Sequence, residues 1–348
     1  MRFTCVDSFS GAGGLSLGLS DAGVEVLLSF DIDKRCIETL QSNPKYFKHP
    51  AICEDINKML DGRLLDMVGL KRGELFLLAG GPPCQGFSVQ RIGDDTDSRN
   101  DLVLSYGRLV DEVRPMFFIM ENVSGIQGKR GKTVLLELID KMEAVGYRVY
   151  NDLLDAENYS VPQRRKRIIL VGIRADFTAE YSFPKPKGDK ITVRETIQFL
   201  PEPPEDGKPH PDYSLHRRDR LSEKNLQRIK VLKEGQGRDY LPEELLANCH
   251  KVDSAKIGHR NVYGRMSWDD VAPTITARFD SFTRGLFGHP EQSRSISLCE
   301  GALLQTFPID FVFKGSKIEI ARQIGNAVPP RMAKIIGESI VAYYEGAR

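Results

Sequence analysis

Residues 75–83, LFLLAGGPP, join five apolar residues to two glycines and two prolines. A run so short, apolar throughout and cut off so abruptly reads as a buried strand ending in a stiff turn. Proline lacks an amide hydrogen, and glycine admits strained dihedrals. The next residue is Cys84. In an open α/β sheet the carboxyl ends of the strands form the ligand crevice, so a polarisable thiol just past such an end is a candidate nucleophile. A cysteine by itself in a Pro-rich turn is most often structural. The case for chemistry depends on what the rest of the chain brings to the same edge.

The amino-terminal part of the chain repeats the strand, loop and helix pattern. FTCVDSF at 3–9 reads as a buried first strand, and SGAGGLSLGL supplies glycines before a helix running to about Ala22. Such a loop lets backbone approach a ligand at a helix amino terminus, although Gly11, Gly13, Gly14 and Gly18 do not follow the GxGxxG spacing. VEVLLSFDID gives a second strand delivering Asp31 and Asp33, and AICEDIN a third delivering Asp55. Each acid on its own could be a helix cap. Together with the glycine loop they point to an adenosine-containing cofactor held across three strand ends.

Beyond Cys84, VQRIGDDTDSRND is polar and without apolar periodicity, which suggests a lid whose Arg91 and Arg99 could meet phosphate. LVLSYGRLVDEV reads as a helix, and MFFIMEN as a strand beside the 75–79 strand that delivers Glu121 and Asn122 to the same crevice. A helix is expected at 133–145. VPQRRKRIILVG places Gln163, Arg165 and Arg167 at alternate positions entering an apolar strand, so an extended chain turns all three to one face. Guanidinium groups beside an acid and a thiol suit an anionic or planar polar substrate.

From Phe183 the chain becomes Pro-rich and charged, then alternates strand-like pieces such as APTITARF with turn signals, and a second domain is expected. SLCEGALLQTFP reads as helical and DFVF as another strand, and the last helix, RMAKIIGESIVAYYEGAR, is amphipathic and expected to pack back on the first sheet. With 49 Lys and Arg against 48 Asp and Glu, the balanced charge gives no global sign of a polyanion partner, so a nucleic-acid footprint must be local. Six cysteines without a CxxC pair or zinc spacing suggest reduced cytosolic thiols and no structural metal. No stretch approaches the ~20 apolar residues of a membrane helix, so neither membrane insertion nor secretion is expected.

The strings DSFSGAGGLSLGL, FDID, EDI, GGPPCQGFS, ENV, QRRKR, RSISLCEGALLQTFP and QIGNAVPP, in this order, resemble those of the DNA (cytosine-5) methyltransferases over nearly the whole chain except about 190–260. The resemblance implies an α/β fold: a doubly wound, Rossmann-like, S-adenosylmethionine-dependent methyltransferase domain with a smaller, mostly β and loop target-recognition domain. Residues 1–184, completed by 309–348, would form the first and 185–308 the second. S-adenosylmethionine would be bound by Phe9, Gly11, Gly13, Gly14, Asp31, Ile32, Asp55, Ile56, Pro83 and Asn326. Cys84 would be the nucleophile, with Glu121, Arg165 and Arg167 completing the catalytic set. Gln85, Ser88, Arg99, Asn122, Gln163, Thr274 and Thr276 would face the substrate. Asp31 stands where many members carry Glu.

The implied partner is double-stranded DNA, acted on by a cytoplasmic monomer of a restriction or defence system with a possible cognate endonuclease. Three alternatives compete with it. A transfer-RNA cytosine-5 methyltransferase is similar in scaffold and in SFTRG at 281–285. A catalytically dead DNA-binding paralogue would have no need for intact Cys84, Glu121, Arg165 and Arg167. A nicotinamide-dependent oxidoreductase is disfavoured by the glycine spacing and by a Pro-Pro-Cys turn with no hydride role.

Overall fold

The structure is a computed structural model that describes residues 2–83, 100–128, 131–248 and 262–347. Cys84, Gln85, Ser88 and Arg99 lie outside the described residues. The chain packs as two units. The first comprises Met1–Tyr159, Lys166–Pro186 and Ala327–Arg348, and the second Ser160–Arg165 and Lys187–Asn326.

The first unit runs β1 Thr4–Ser8, α1 Gly14–Asp21, β2 Glu25–Asp31, α2 Lys34–Gln41, β3 Ala51–Cys53, a 3-10 turn Ile56–Met59, α3 Arg63–Val68, β4 Leu77–Gly80, α4 Asn100–Val113, β5 Phe117–Val123, α5 Lys132–Ala144, β6 Tyr147–Asp155 and β7 Lys166–Arg174. Its sheet has the order β3-β2-β1-β4-β5-β7-β6. The pairs from β3 to β5 are parallel, and β7 pairs antiparallel with both β5 and β6. The order reverses between β1 and β4, so the loops leaving these two strands flank the switch point where α/β sheets bind ligands.

Alternation along β5 explains the covering of both faces. Phe117 stacks edge-on to Phe76 at 5.1 Å and to Tyr344 at 6.3 Å, while Phe118 meets Tyr106 and Tyr147. Tyr106, fully buried on α4, shares its one hydroxyl hydrogen between the carbonyls of Leu78 and Ile119, at 3.0 and 2.7 Å, and so ties the helix to both central strands. Tyr344 belongs to the last helix, which therefore returns to the sheet as its apolar face requires.

The second unit contains α6 Val193–Ile197, α7 Glu223–Val231, α8 Leu298–Leu304 and α9 Lys317–Asn326, and the chain then re-enters the first unit through α10 Pro330–Gly346. The strands expected at APTITARF and DFVF are absent. Among the described residues this unit has only isolated bridges, one of them Gln163 with Ala272. Pro273 removes a ladder donor beside that bridge, and Phe311 and Phe313 cluster with Phe307 at 4.8 and 5.1 Å instead of entering a sheet. The packing carries 309–326 with this unit, where the expected division joined them to the first, because α9 lies against α8.

The string RSISLCE organises the second unit. Ser297 and Glu300 form a capping box on α8, and Glu300 also takes two 2.7 Å hydrogen bonds from Arg294. Burial alone would raise the Glu300 pKa, but the Arg294 guanidinium outweighs it and holds the carboxyl at about 2.

Candidate active site

The glycine loop follows β1. Gly11 and Gly13 adopt φ of +52° and +82°, and a Cβ on Gly11 would meet nothing within 4 Å, so its outer face is open. Phe9 takes φ +54° without being glycine, a strained setting at the same turn. The loop is fastened to the end of β2: the Gly11 amide donates to Asp31 Oδ2 at 2.9 Å and the Asp33 amide to Oδ1 at 2.8 Å. Burial raises the Asp31 pKa, against these amide donors. Each carboxylate oxygen keeps a lone pair for an incoming hydroxyl. Ile32 beside it is 70% exposed, an apolar surface at the crevice that suits a flat ring.

The other expected cofactor residues divide. Asp55 accepts from the Asn57 amide and side chain at 2.7 and 3.0 Å. Ile56 is 3% exposed and packs in the core, so only its backbone is available to a ligand. Gly14 opens α1, where a side chain would strike the Val328 carbonyl, so its smallness serves helix packing. Pro83 is half-buried and Asn326 is the exposed last residue of α9 in the second unit. The open loop, the acids with spare lone pairs and the exposed Ile32 fit an adenosine-containing group.

On the other side of the switch point, β4 and β5 run in register, with Gly80 opposite Met120. The next residues, Gly81 and Glu121, are therefore neighbours, and a Cβ on Gly81 would lie 3.4 Å from Glu121 Oε2. Asn122 donates to the Pro82 carbonyl at 3.1 Å and so fixes the turn that leads into Cys84. Val123 pairs across β7 with Arg167, which puts Arg167 diagonal to Glu121 on one face. The Arg167 Nε lies 2.8 Å from Glu121 Oε1. The N–H does not point along that line, and Oε1 accepts no hydrogen bond. The pair holds the acid by charge.

The QRR segment behaves differently from Arg167. Arg165, 1% exposed, donates to the carbonyls of Ile275 and Gly325, and the wholly buried Gln163 donates to the Leu304 carbonyl and accepts from the Ile275 amide. Thr274 donates to the Arg164 carbonyl at 2.6 Å, whereas Thr276 is exposed. The three consecutive residues stitch the PTIT segment inside the second unit, and Gln163 and Arg165 precede β7, which begins only at Lys166, so they are not part of the strand that carries Arg167. Gln163 has no surface left to offer a macromolecule.

Asp7, the one acid inside the first apolar strand, carries no site signal in the sequence. It is fully buried, and its Oδ2 accepts from the Ser16 amide and hydroxyl at 3.1 and 2.5 Å, anchoring the first turn of α1 beneath the glycine loop. Ser16 continues to Ser29, and Ser29 to His49 Nε2 at 2.7 Å. Burial lifts the Asp7 pKa to about 7, the Ser16 donors opposing, and burial pushes His49 down to about 4. The unfolded chain ionises Asp7 near 3.8 while the folded chain keeps its proton to about 7. This term is most favourable at low pH and is lost across that window, at ~1.4 kcal/mol per unit. Urea unfolding from pH 4 to 7 is expected to show the parent losing about 2–4 kcal/mol relative to Asp7→Asn. Parallel pH curves for the two proteins would exclude the assignment.

A seven-stranded sheet with a glycine loop and a strand-end acid on either side of its switch point is the architecture of a Rossmann-like α/β domain and is consistent with a methyltransferase fold. Residues 3–342 match the family C-5 cytosine-specific DNA methylase, and the chain belongs to that family. It is thus an enzyme of the DNA (cytosine-5-)-methyltransferase class. Among its relatives, the type II methylase M.HgiDII of Herpetosiphon aurantiacus is 36% identical over 346 residues, covering 98% of this chain and 96% of the relative. The type II methyltransferase M1.HphI of Haemophilus parahaemolyticus is 34% identical, covering 98% and 87%. In fold the chain is similar to a candidate DNA modification methyltransferase encoded in an E. coli prophage, at TM-score 0.75, 24% identity and 99% and 100% coverage. It is likewise similar to the S. pombe Dnmt2 methyltransferase, at TM-score 0.65, 17% identity and 99% coverage of each chain.

Proposed function

We propose that this enzyme methylates C5 of a cytosine flipped out of a short duplex DNA sequence, through a covalent bond between Cys84 and C6. The observation that carries the reading is the Glu121 and Arg167 pair at the end of β5, beside the turn that runs into Cys84. Cytosine C5 is a weak nucleophile until something adds at C6. A thiolate suits that addition because it is both nucleophilic and able to leave. Glu121 shares a proton with N3 and so offsets the charge that develops on the ring, while Arg167 orients Glu121. S-adenosylmethionine, when bound by Gly11, Asp31, Ile32 and Asp55, supplies an electrophilic methyl group on a sulfonium. After transfer to C5, loss of the C5 proton to a base expels the Cys84 thiolate and frees the product. A stacked cytosine exposes neither face, hence the flipping.

The type II relatives support a restriction-modification setting, in which the protein works as a monomer in a bacterial cytosol beside a cognate endonuclease. No helix among the described residues is long and apolar enough to cross a membrane. Incubation with methyl-labelled S-adenosylmethionine and mixed duplex DNA, followed by nucleoside analysis, is expected to yield 5-methylcytosine. Glu121→Gln should cut the rate by ~10²–10⁴ while S-adenosylhomocysteine binding stays at the parent level. Label in adenine, or only in transfer RNA, would overturn the reading.

A further inference from the structure

We infer that Asn57, held by Ser105 and Arg108 of α4, is a positioning residue that sets the affinity for the cofactor by fixing the carboxylate of Asp55. The inference rests on the reading of Asp55 as a cofactor-binding acid. Asp55 ends the stretch after β3, and its Oδ1 takes two hydrogen bonds from Asn57, from the backbone amide at 2.7 Å and from Nδ2 at 3.0 Å. A lone acid at a helix start needs only the amide. The second bond locks the side-chain rotation and leaves Oδ2 as the oxygen available to a ligand.

Asn57 is itself held from the far side. Its Oδ1 accepts from the Ser105 hydroxyl at 2.9 Å and from Arg108 at 3.1 Å, and Arg108 also donates to Ser105 at 2.7 Å. Ser105 is 1% exposed, so this end of the relay has a fixed base in the core. An amide side chain can donate to a carboxylate through its nitrogen while its oxygen accepts from a hydroxyl and a guanidinium. Leucine, of similar size, can do neither.

The test is a double-mutant cycle on the full chain, with S-adenosylhomocysteine binding read by calorimetry and steady-state kinetics beside it. Asn57→Leu is expected to weaken binding and raise the KM for S-adenosylmethionine by about tenfold, with kcat at saturating cofactor and the KM for DNA within about twofold of the parent. Asn57→Ser, which restores a short donor and acceptor, should recover most of the loss, and Ser105→Ala should lose about threefold. In an Asp55→Asn background, Asn57→Leu should cost less than about twofold, because the group it positions is gone. Equal losses in both backgrounds would refute the relay while leaving Asp55 as a cofactor residue. No effect from Asp55→Asn alone would remove both.

Discussion

Duplex DNA carrying 5-fluorocytosine is expected to capture the parent protein as an adduct that survives denaturation, and Cys84→Ser is expected to capture none. In the proposed sequence the thiolate is released only when C5 gives up its proton. Fluorine at C5 cannot leave as a proton does, so the C6–S bond persists after methylation. Serine places an oxygen at the same position, but its hydroxyl is barely ionised and leaves poorly, so methylation of ordinary DNA should fall by on the order of a thousandfold or more. The four thiols among the described residues offer a control. Cys5, Cys36 and Cys299 are buried, with burial raising Cys5 well above the usual thiol range and Cys299 to about 12, whereas Cys53 is exposed at the end of β3. Cys53→Ser should therefore still form the adduct. Undiminished methylation by Cys84→Ser, or an adduct mapped to Cys53, would defeat the covalent mechanism.

The parts of the fold that could be read from the chain are those where periodicity and backbone chemistry agree. LFLLAGGPP gives β4 because five apolar residues meet four breakers, and Glu121 falls beside its end because parallel neighbours share a register. Asp33 and Asp55 kept two meanings in the sequence, and the structure uses both as caps, accepting from the amides two residues on, which does not prevent Asp55 from meeting a ligand. What escaped was tertiary. Gln163 and Arg165 looked like partners of Arg167 because extended residues two apart share a face, yet a unit boundary falls between Arg165 and Lys166. Phe311 and Phe313 alternate as a strand would, but a hydrophobic pocket with Phe307 satisfies the same pattern without a ladder. Asp7 was invisible as an anchor because its partner Ser16 sits nine residues away on a helix whose packing no local pattern encodes.

Gly18→Ala is expected to destabilise the protein by about 2–4 kcal/mol, against the direction that helix propensity alone predicts. Gly18 lies in the middle of α1, where alanine is favoured over glycine by ~1 kcal/mol. Packing opposes this. A Cβ at Gly18 would run into the Pro330 carbonyl and stand 2.7 Å from the Lys334 amide nitrogen, both backbone atoms of α10 that cannot swing aside. Gly14, one turn earlier, faces the Val328 carbonyl in the same way, so the two glycines form a groove that lets α1 and α10 meet backbone to backbone. Ala333 also crowds the position, but Ala333→Gly should restore little, because the carbonyl remains. Since α1 is anchored to Asp7 and begins where the glycine loop ends, prying it from α10 should weaken S-adenosylhomocysteine binding as well as lower the urea midpoint. If Gly18→Ala is as stable as the parent, the glycines of SGAGGLSLGL serve the ligand loop alone, and the close seating of the last helix is not what fixes that spacing.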